Sequence, residues 1–238
     1  MTDLKETLEI IRRQRNADLC DALDSMGLQD RYEMDTAMTP LYDGLRFAGF
    51  AHTMEFCKTD RRMPRLSYED FDRLQYAPVS QGGYNFQNID EIPYYQPAPD
   101  EVLVIDAKRL RGGILGSDNT LAMQLKGVAG FVIDGTLRDT PECLLQKTPC
   151  FYTVRSYTHP MGRLQLVADN KPIQCAGVYV RPGDIISGDD DGVLVIPREL
   201  AAETAGRAYK IQQKDRIGRR KKYELLGLPF DETVELME

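Results

Sequence analysis

Tryptophan is absent from this 238-residue chain and histidine occurs only twice, at His52 and His159. Long apolar runs are missing as well: "GVAGFVI" is among the longest, whereas a bilayer core needs about 20 consecutive apolar residues. A membrane span is therefore not expected. The opening "MTDLKETLEIIRRQRN" is charged throughout and lacks the apolar centre of a secretory signal. Basic residues are in deficit, with 30 Lys and Arg against 37 Asp and Glu, a formal charge of −7 and a pI near 5.1. That balance argues against nucleic-acid binding through a broad basic surface. Five cysteines (Cys20, Cys57, Cys143, Cys150 and Cys175) include no C-x-x-C pair, and with two histidines they do not make a zinc site. An odd, unpaired set fits a reduced, cytoplasmic protein whose cysteines pack as small hydrophobes.

What is present is an ordinary globular composition, 42% hydrophobic and 28% charged. Leu4, Leu8 and Ile11, then Leu19 and Leu23, recur at helical spacing over residues 3–26, with Gly27 placed as a C-cap. "LRFAGFAHTMEF" (45–56) has strand composition, Gly49 reading as a bulge. Residues 58–100 differ, being rich in Tyr, Pro, Gln and Asp. So long a structureless loop is unusual in a compact domain. It reads either as an insertion with a short helix near "SYEDFDRL" or as a lid or arm over a neighbour, and five tyrosines from Tyr68 to Tyr95 favour a contact role over disorder. Strands and helices alternate from "EVLVIDA" (101–107) onward, which predicts an α/β class. Arg198 to about Ile217 reads as an amphipathic helix, and "LLGLPFDETVELME" as an arm. The expected organisation is a single domain over 1–238, with the insertion at 58–100 and a C-terminal helical arm at 198–238.

Three stretches can carry chemistry. In "RGGILGSDN", Gly112, Gly113 and Gly116 lie between a strand and a helix start, where bare backbone N–H groups can hold a carboxylate or phosphate. Ser117 and Asp118 are equally ordinary N-cap residues, and the G-G-x-x-G spacing is not a nucleotide motif. In "VIDGTLRDTPEC", a buried strand reaches Ile133 and Asp134-Gly135 signals a turn. Arg138 can then offer a planar fork to a carboxylate, and Asp139 an oxygen to a hard cation such as Mg²⁺. Glu142 follows one helical turn on, although acids in a first turn also suit the helix dipole without any ligand. In "SGDDDGVLVIP", Asp189, Asp190 and Asp191 lack EF-hand spacing and read as a solvated hairpin with Asp191-Gly192 as its turn. The basic "KDRIGRRKK" (214–222) reads as a solvated helix end or a salt-bridged subunit contact. Both histidines read as packing residues.

Taken in order, "DLCDALDSMG", "GLRFAGFAHTM", "GGILG", "KGVAGFVIDGTLRDTPE", "CAGVYVRPGDIISGDDDGVLVIP" and "LLGLP" resemble the RraA-like proteins. The enzymatic members of that family are the class II 4-hydroxy-4-methyl-2-oxoglutarate and 4-carboxy-4-hydroxy-2-oxoadipate aldolases. The resemblance covers most of 17–57 and 101–228, leaving the insertion outside. It implies a layered α/β/β/α sandwich core and trimers or hexamers with sites between subunits.

For the site, the resemblance implies that Arg138 binds the carboxylate of a pyruvate-type 2-oxo acid and that Asp139 coordinates Mg²⁺ or Mn²⁺. Backbone amides of Gly113, Ile114, Leu115, Gly116 and Ser117 would hold the same carboxylate and the keto oxygen. The family's acid 21 places before the Arg falls on Ser117 here, with Asp118 one place late to take over its work. Glu142 matches the family's second acid and would help orient the ion's waters. The activity implied is metal-dependent retro-aldol cleavage of a 4-hydroxy-2-oxo acid to pyruvate, with oxaloacetate decarboxylation as a companion. RNase-regulating members tend to lose the Asp after the Arg, and this chain keeps it. The alternative is a non-catalytic regulator docking on an RNA-processing enzyme, favoured by Ser117, the tyrosine-rich insertion and the 214–222 run.

Overall fold

A computed structural model describes residues 3–60, 62–76 and 97–235. The chain runs α1 (Leu4–Arg12), α2 (Asn16–Asp24), β1 (Thr39–Pro40), β2 (Phe47–Lys58), α3 (Tyr68–Tyr76), β3 (Glu101–Asp106) and β4 (Gly113–Leu115). Then follow α4 (Ser117–Leu125), β5 (Gly130–Leu137), α5 (Thr140–Leu145), β6 (Cys150–Arg155), β7 (Leu164–Asp169), β8 (Ile173–Cys175) and β9 (Val178–Val180). A hairpin of β10 (Ile185–Asp189) and β11 (Gly192–Ile196) leads into the long α6 (Ala201–Leu226). The class is mixed α/β, as the alternation of patterns predicts.

The main sheet has the order β1-β6-β5-β3-β2-β10-β11, with β4 added on β5 and β7 on β2. Strands β2, β3, β5 and β6 are parallel, and α4 and α5 lie in the crossovers to β5 and β6. Such central strands are covered on both faces, so "EVLVID" and "GFVIDGTL" are almost wholly buried rather than alternating. β2 is long enough to serve two partners along one edge: β10 pairs with Phe47–Phe50 and β7 with Met54–Lys58. Two apolar cores result. One fills the parallel sheet around Val104, Phe131, Val132 and Phe151. The other joins α1, α2 and α6 to the hairpin through Leu8, Ile11, Leu19, Leu23, Ile185 and Ile196. Ala201, Ala205 and Ala208 on α6 are small enough to let the helices approach closely.

Several expectations are corrected. Asp134-Gly135 is not a turn: β5 runs on to Leu137, and its register with β6 shifts between Ile133 and Thr136. The dipeptide is a bulge inside the strand, which re-aims the residues after it. Asp134 is buried there, accepting from Thr153 Oγ1 (3.0 Å), Arg109 Nε (3.2 Å) and the Ala176 N–H (3.2 Å). Gly49 is not the bulge of β2, which falls at Glu55/Phe56. A Cβ on Gly49 would sit 2.4 Å from the Asp100 carbonyl oxygen, so glycine is needed for close approach. The hairpin turn is Asp190-Asp191, because Asp189 pairs with Gly192, and it is not simply solvated: Asp189 accepts from the Asn16 N–H and Asp190 from the Gly44 N–H. α6 runs nine residues past Ile217, taking the basic run into the helix. There Arg216 and Arg219 donate to arm carbonyls, Arg220 lies 4.4 Å over the Phe230 ring, and Val234 is fully buried.

Gly27 does end the N-terminal pair, with φ +77° and the Leu28 N–H donating to the Leu23 carbonyl. The insertion helix is α3, while 77–96, including Tyr84, Tyr94 and Tyr95, fall outside the described residues. All five cysteines are free thiols, and Cys143, Cys150 and Cys175 are buried. His52 does more than pack. Its Nε2 lies 2.9 Å from Asp169 Oδ1 and its Nδ1 3.7 Å from Glu101, tying β2 to its neighbours on both sides. Burial alone would lower its pKa, but hydrogen bonds to Asp169 and Glu101 outweigh that and hold it above the ordinary value. Among the described residues no helix is long and apolar enough to cross a membrane.

Candidate active site

The bulged end of β5 delivers Arg138 and Asp139 onto the glycine loop. "GGILG" is not simply a loop: Gly113–Leu115 form β4, which pairs in parallel with Thr136 and Leu137, and the Arg138 N–H donates to the Leu115 carbonyl. The Arg138 side chain lies over Gly113, where a Cβ would meet its Cγ at 2.6 Å. The Asp139 carboxylate lies over Gly116, where a Cβ would meet Oδ2 at 2.3 Å. Both glycines are therefore required to be bare, and the two motifs form one site.

Asp139 itself adopts a left-handed conformation, φ 54° and ψ 37°, at the start of α5, without capping that helix. Asp tolerates this region better than most residues. Its carboxylate turns instead to the start of α4 and accepts from the Ser117 N–H at 3.4 Å. Arg138 Nε lies 3.3 and 3.4 Å from its two oxygens. Gly116, not Ser117 or Asp118, is the N-cap of α4, and it has no side chain to cap with. Asp139 supplies the negative charge that this N-terminus favours. Both side chains remain about one-third exposed, 30% for Arg138 and 35% for Asp139.

The other expected residues divide. Ile114 and Leu115 bury their side chains in the main core, and the Gly113 N–H is committed to the Thr158 carbonyl at 2.8 Å. Asp118 and Glu142 stand exposed in the first turns of α4 and α5. Among the described residues, neither carboxylate pairs with Arg138 or Asp139. Among the described residues no three-ligand cage forms here. The one cluster of three potential ligands among the described residues is Cys20, Asp24 and Glu33, where burial first and then Glu33 push the Cys20 thiol up to about 12. A single, partly exposed carboxylate still suits Mg²⁺ or Mn²⁺, since Mg²⁺ keeps several of its waters and takes one or two protein carboxylates.

His159, read from sequence as a packing residue, stands beside this site. Its Nδ1 accepts from the Met161 N–H at 3.2 Å, which leaves the ring proton on Nε2. Burial first, then the cations Arg138 and Arg163, push its pKa down to about 4, with Asp139 opposing. The imidazole is thus neutral at pH 7. Its ring also meets Phe71 of the insertion edge-on, centroids 6.3 Å apart. No spacing rule points to this residue; the signal lies in a contact between segments 88 residues apart in sequence.

A sequence profile of the RraA-like family, described as Aldolase/RraA, matches residues 16–195. The chain belongs to the RraA-like family. Within it, the chain is 38% identical over 123 residues to a Halalkalibacterium halodurans protein provisionally named 4-hydroxy-4-methyl-2-oxoglutarate aldolase, covering 51% of this chain and 58% of that one. A Thermus thermophilus 4-hydroxy-4-methyl-2-oxoglutarate aldolase is 30% identical over 108 residues, 44% of this chain and 65% of the relative. The RraA-like chain thus spans less than two thirds of either relative. Among solved structures, Streptomyces coelicolor RraAS2, titled an unusual member of the RNase ES inhibitor RraA family, superposes with a TM-score of 0.69 at 27% identity, covering 90% of this chain and 96% of that one.

Proposed function

We propose that this RraA-like chain is a divalent-metal-dependent pyruvate aldolase, a lyase that breaks the C3–C4 bond of a 4-hydroxy-2-oxo acid and releases pyruvate. The observation that carries the reading is the Asp139 carboxylate held beside Arg138 in the space that Gly116 leaves bare. Relatives named for such an aldolase support it.

Arg138 presents a permanent cation in fork geometry, which suits the carboxylate of a 2-oxo acid. Asp139 is the oxygen donor for a hard cation. Mg²⁺ or Mn²⁺ bound there would supply Lewis acidity toward the 2-oxo oxygen. In the cleavage the 4-hydroxyl loses its proton and C4 becomes a carbonyl. The C3–C4 electron pair passes to the three-carbon fragment as an enolate, which takes a proton at C3 to give pyruvate. Arg138 adds fixed positive charge close to that enolate. Asp118 and Glu142, exposed in the first turns of α4 and α5, are the carboxylates assigned to the proton transfers. Loss of CO₂ from oxaloacetate yields the same enolate, so decarboxylation accompanies the aldolase reaction. Assembly as a trimer or hexamer belongs to the same reading and is measured by light scattering.

A second reading, a non-catalytic regulator of an RNA-processing enzyme, is favoured by the likeness to RraAS2 and by Ser117 where the resemblance expects an acid. The deciding experiment is pyruvate release from oxaloacetate with Mg²⁺, Mn²⁺ or EDTA, with Asp139→Ala alongside. The aldolase reading expects metal-dependent release that falls about 100-fold in the variant. Equal release by the variant sinks the assignment, and no release under any condition transfers the case to the regulator.

A further inference from the structure

The insertion lines an open pocket next to the Arg138 site. Met63 packs on Gly162, whose φ is +71° and whose absent Cβ would lie 2.6 Å from Met63 Cγ. Phe71 of α3 packs on His159. Between α3 and the loop after β6 lies a cavity of about 850 Å³, its walls including Met63, Leu66, Phe71, Tyr157 and Met161. That loop is fastened to the site. The Thr158 carbonyl accepts from the Gly113 N–H, Arg138 lies over Gly113, and His159 feels the charges of Arg138 and Asp139. Pro160 and Leu164 close on Gly112, whose φ of +147° admits no side chain. The described insertion residues 62–76 are thus part of the architecture that begins at the glycine loop.

The walls state a preference. A 4-hydroxy-4-methyl-2-oxoglutarate carries a second carboxylate beyond the bond that breaks. The lining is mainly thioether, aliphatic and aromatic, with Ser67 and Thr158 among its polar members, and the apolar part offers such a group little compensation for lost water. The cation on this wall, Arg163, donates Nη1 to the His159 carbonyl at 2.8 Å and is exposed to water, which weakens its pull on a carboxylate. The same walls suit a flat or branched apolar group, which aromatic and methionine side chains contact well. His159 adds an Nε2–H, which has no hydrogen-bond partner among the described residues. The His159 ring is part of the cavity lining, on the loop that Thr158 fastens to Gly113.

We propose that this cavity is the distal subsite of the enzyme, selecting 4-hydroxy-2-oxo acids whose C4 carries an apolar aliphatic or aromatic group, with Phe71 and Met63 as the specificity-determining residues. The inference rests on the aldolase reading of Arg138 and Asp139. Oxaloacetate ends at C4, the carboxylate that leaves as CO₂, and carries no substituent beyond C4 to reach the subsite, so it reports on the head site. The test compares kcat/KM for oxaloacetate, 4-hydroxy-4-methyl-2-oxoglutarate and 4-hydroxy-2-oxo-4-phenylbutanoate in the wild type, Phe71→Ala, Phe71→Leu and Met63→Ala. The wild type is expected to favour the phenyl substrate over the dicarboxylate at least tenfold. Phe71→Ala and Met63→Ala lower the phenyl-to-oxaloacetate ratio about tenfold, and Phe71→Leu recovers part of it. Preference for the dicarboxylate in the wild type, or an equal loss on every substrate in the variants, overturns the proposal.

If the wild type turns over none of the three, the aldolase reading fails. The subsite is then judged by calorimetry with 4-phenyl-2-oxobutanoate against pyruvate. Affinity at least tenfold higher for the phenyl acid, lost in Phe71→Ala, upholds it; equal or absent binding overturns it. Light scattering on Phe71→Ala completes the test: an unchanged oligomeric state upholds the subsite, and a changed one overturns it by showing that another copy of the chain covers this cavity.

Discussion

A Cβ on Gly116 would lie 2.3 Å from Asp139 Oδ2, and the carboxylate occupies the space that any other side chain would fill. The backbone of Gly116, at φ −144° and ψ −172°, is open to every residue. The requirement for glycine is therefore a matter of room for Asp139, not of conformation.

Gly116→Ala is accordingly expected to separate function from stability. The Asp139 carboxylate is the far end of a mobile side chain and can swing aside, so Tm should change by no more than about 2 °C, the shift that a few tenths of a kcal/mol produce in a chain of this size. Displacing a positioned group by about 1 Å can cost 100-fold in rate, and metal-dependent pyruvate release should drop by that order. A large loss of Tm with normal activity per folded molecule would refute the relationship.

Arg138→Lys keeps the charge and loses the fork. Two parallel hydrogen bonds to one carboxylate become a single point contact. The expected result is a KM for oxaloacetate raised about tenfold or more, with a smaller fall in kcat. An unchanged KM would show that the substrate carboxylate binds elsewhere.

His52 predicts a pH dependence of stability. Its pKa in the fold is raised, by Asp169 and Glu101 against burial. The stabilisation is fully present below the unfolded value of about 6.5. It is lost as pH rises through the higher folded value. Urea unfolding from pH 6 to 9 should show stability declining across that window in the wild type, and a flatter profile in His52→Gln. Parallel profiles would remove His52 as the cause.

Gly49→Ala should destabilise without touching chemistry. The added methyl would press on the Asp100 carbonyl oxygen, which accepts the Phe50 N–H at 2.8 Å. Both partners are backbone, so neither yields cheaply. A loss of about 1–3 kcal/mol by urea unfolding is expected. A neutral result would mean that the Asp100 turn relaxes freely.

The parts of the fold legible in sequence are those whose signal is local. "EVLVID" reads as a buried strand because all its side chains enter the core, and Gly27 reads as a helix end because the backbone there needs positive φ. The α3 helix, the acidic hairpin and Arg138 followed by Asp139 also announce themselves within a few residues. Asp134-Gly135 misleads for the same reason. A turn and a bulge share their local chemistry, and only the pairing of β5 with β6 separates them. β4 is hidden because three residues acquire strand geometry solely by lying against Thr136 and Leu137. β7, unforeseen in sequence, depends in the same way on the free edge of β2.

For the candidate site, the sequence by itself brought forward the residues: Arg138, Asp139 and the three glycines stand within the stretch that matches the RraA-like family, and no coordinates are needed to single them out. Tertiary structure decided what those residues are to one another. Gly113 and Gly116 are bare because Arg138 and Asp139 lie over them, and Asp139 caps a helix 22 residues before it. Asp118 and Glu142 stand outside that contact, while His159 and Phe71 stand beside it. Spacing along a chain encodes which face of an element a side chain leaves by. Which other element waits on that face is set by packing across the sheet.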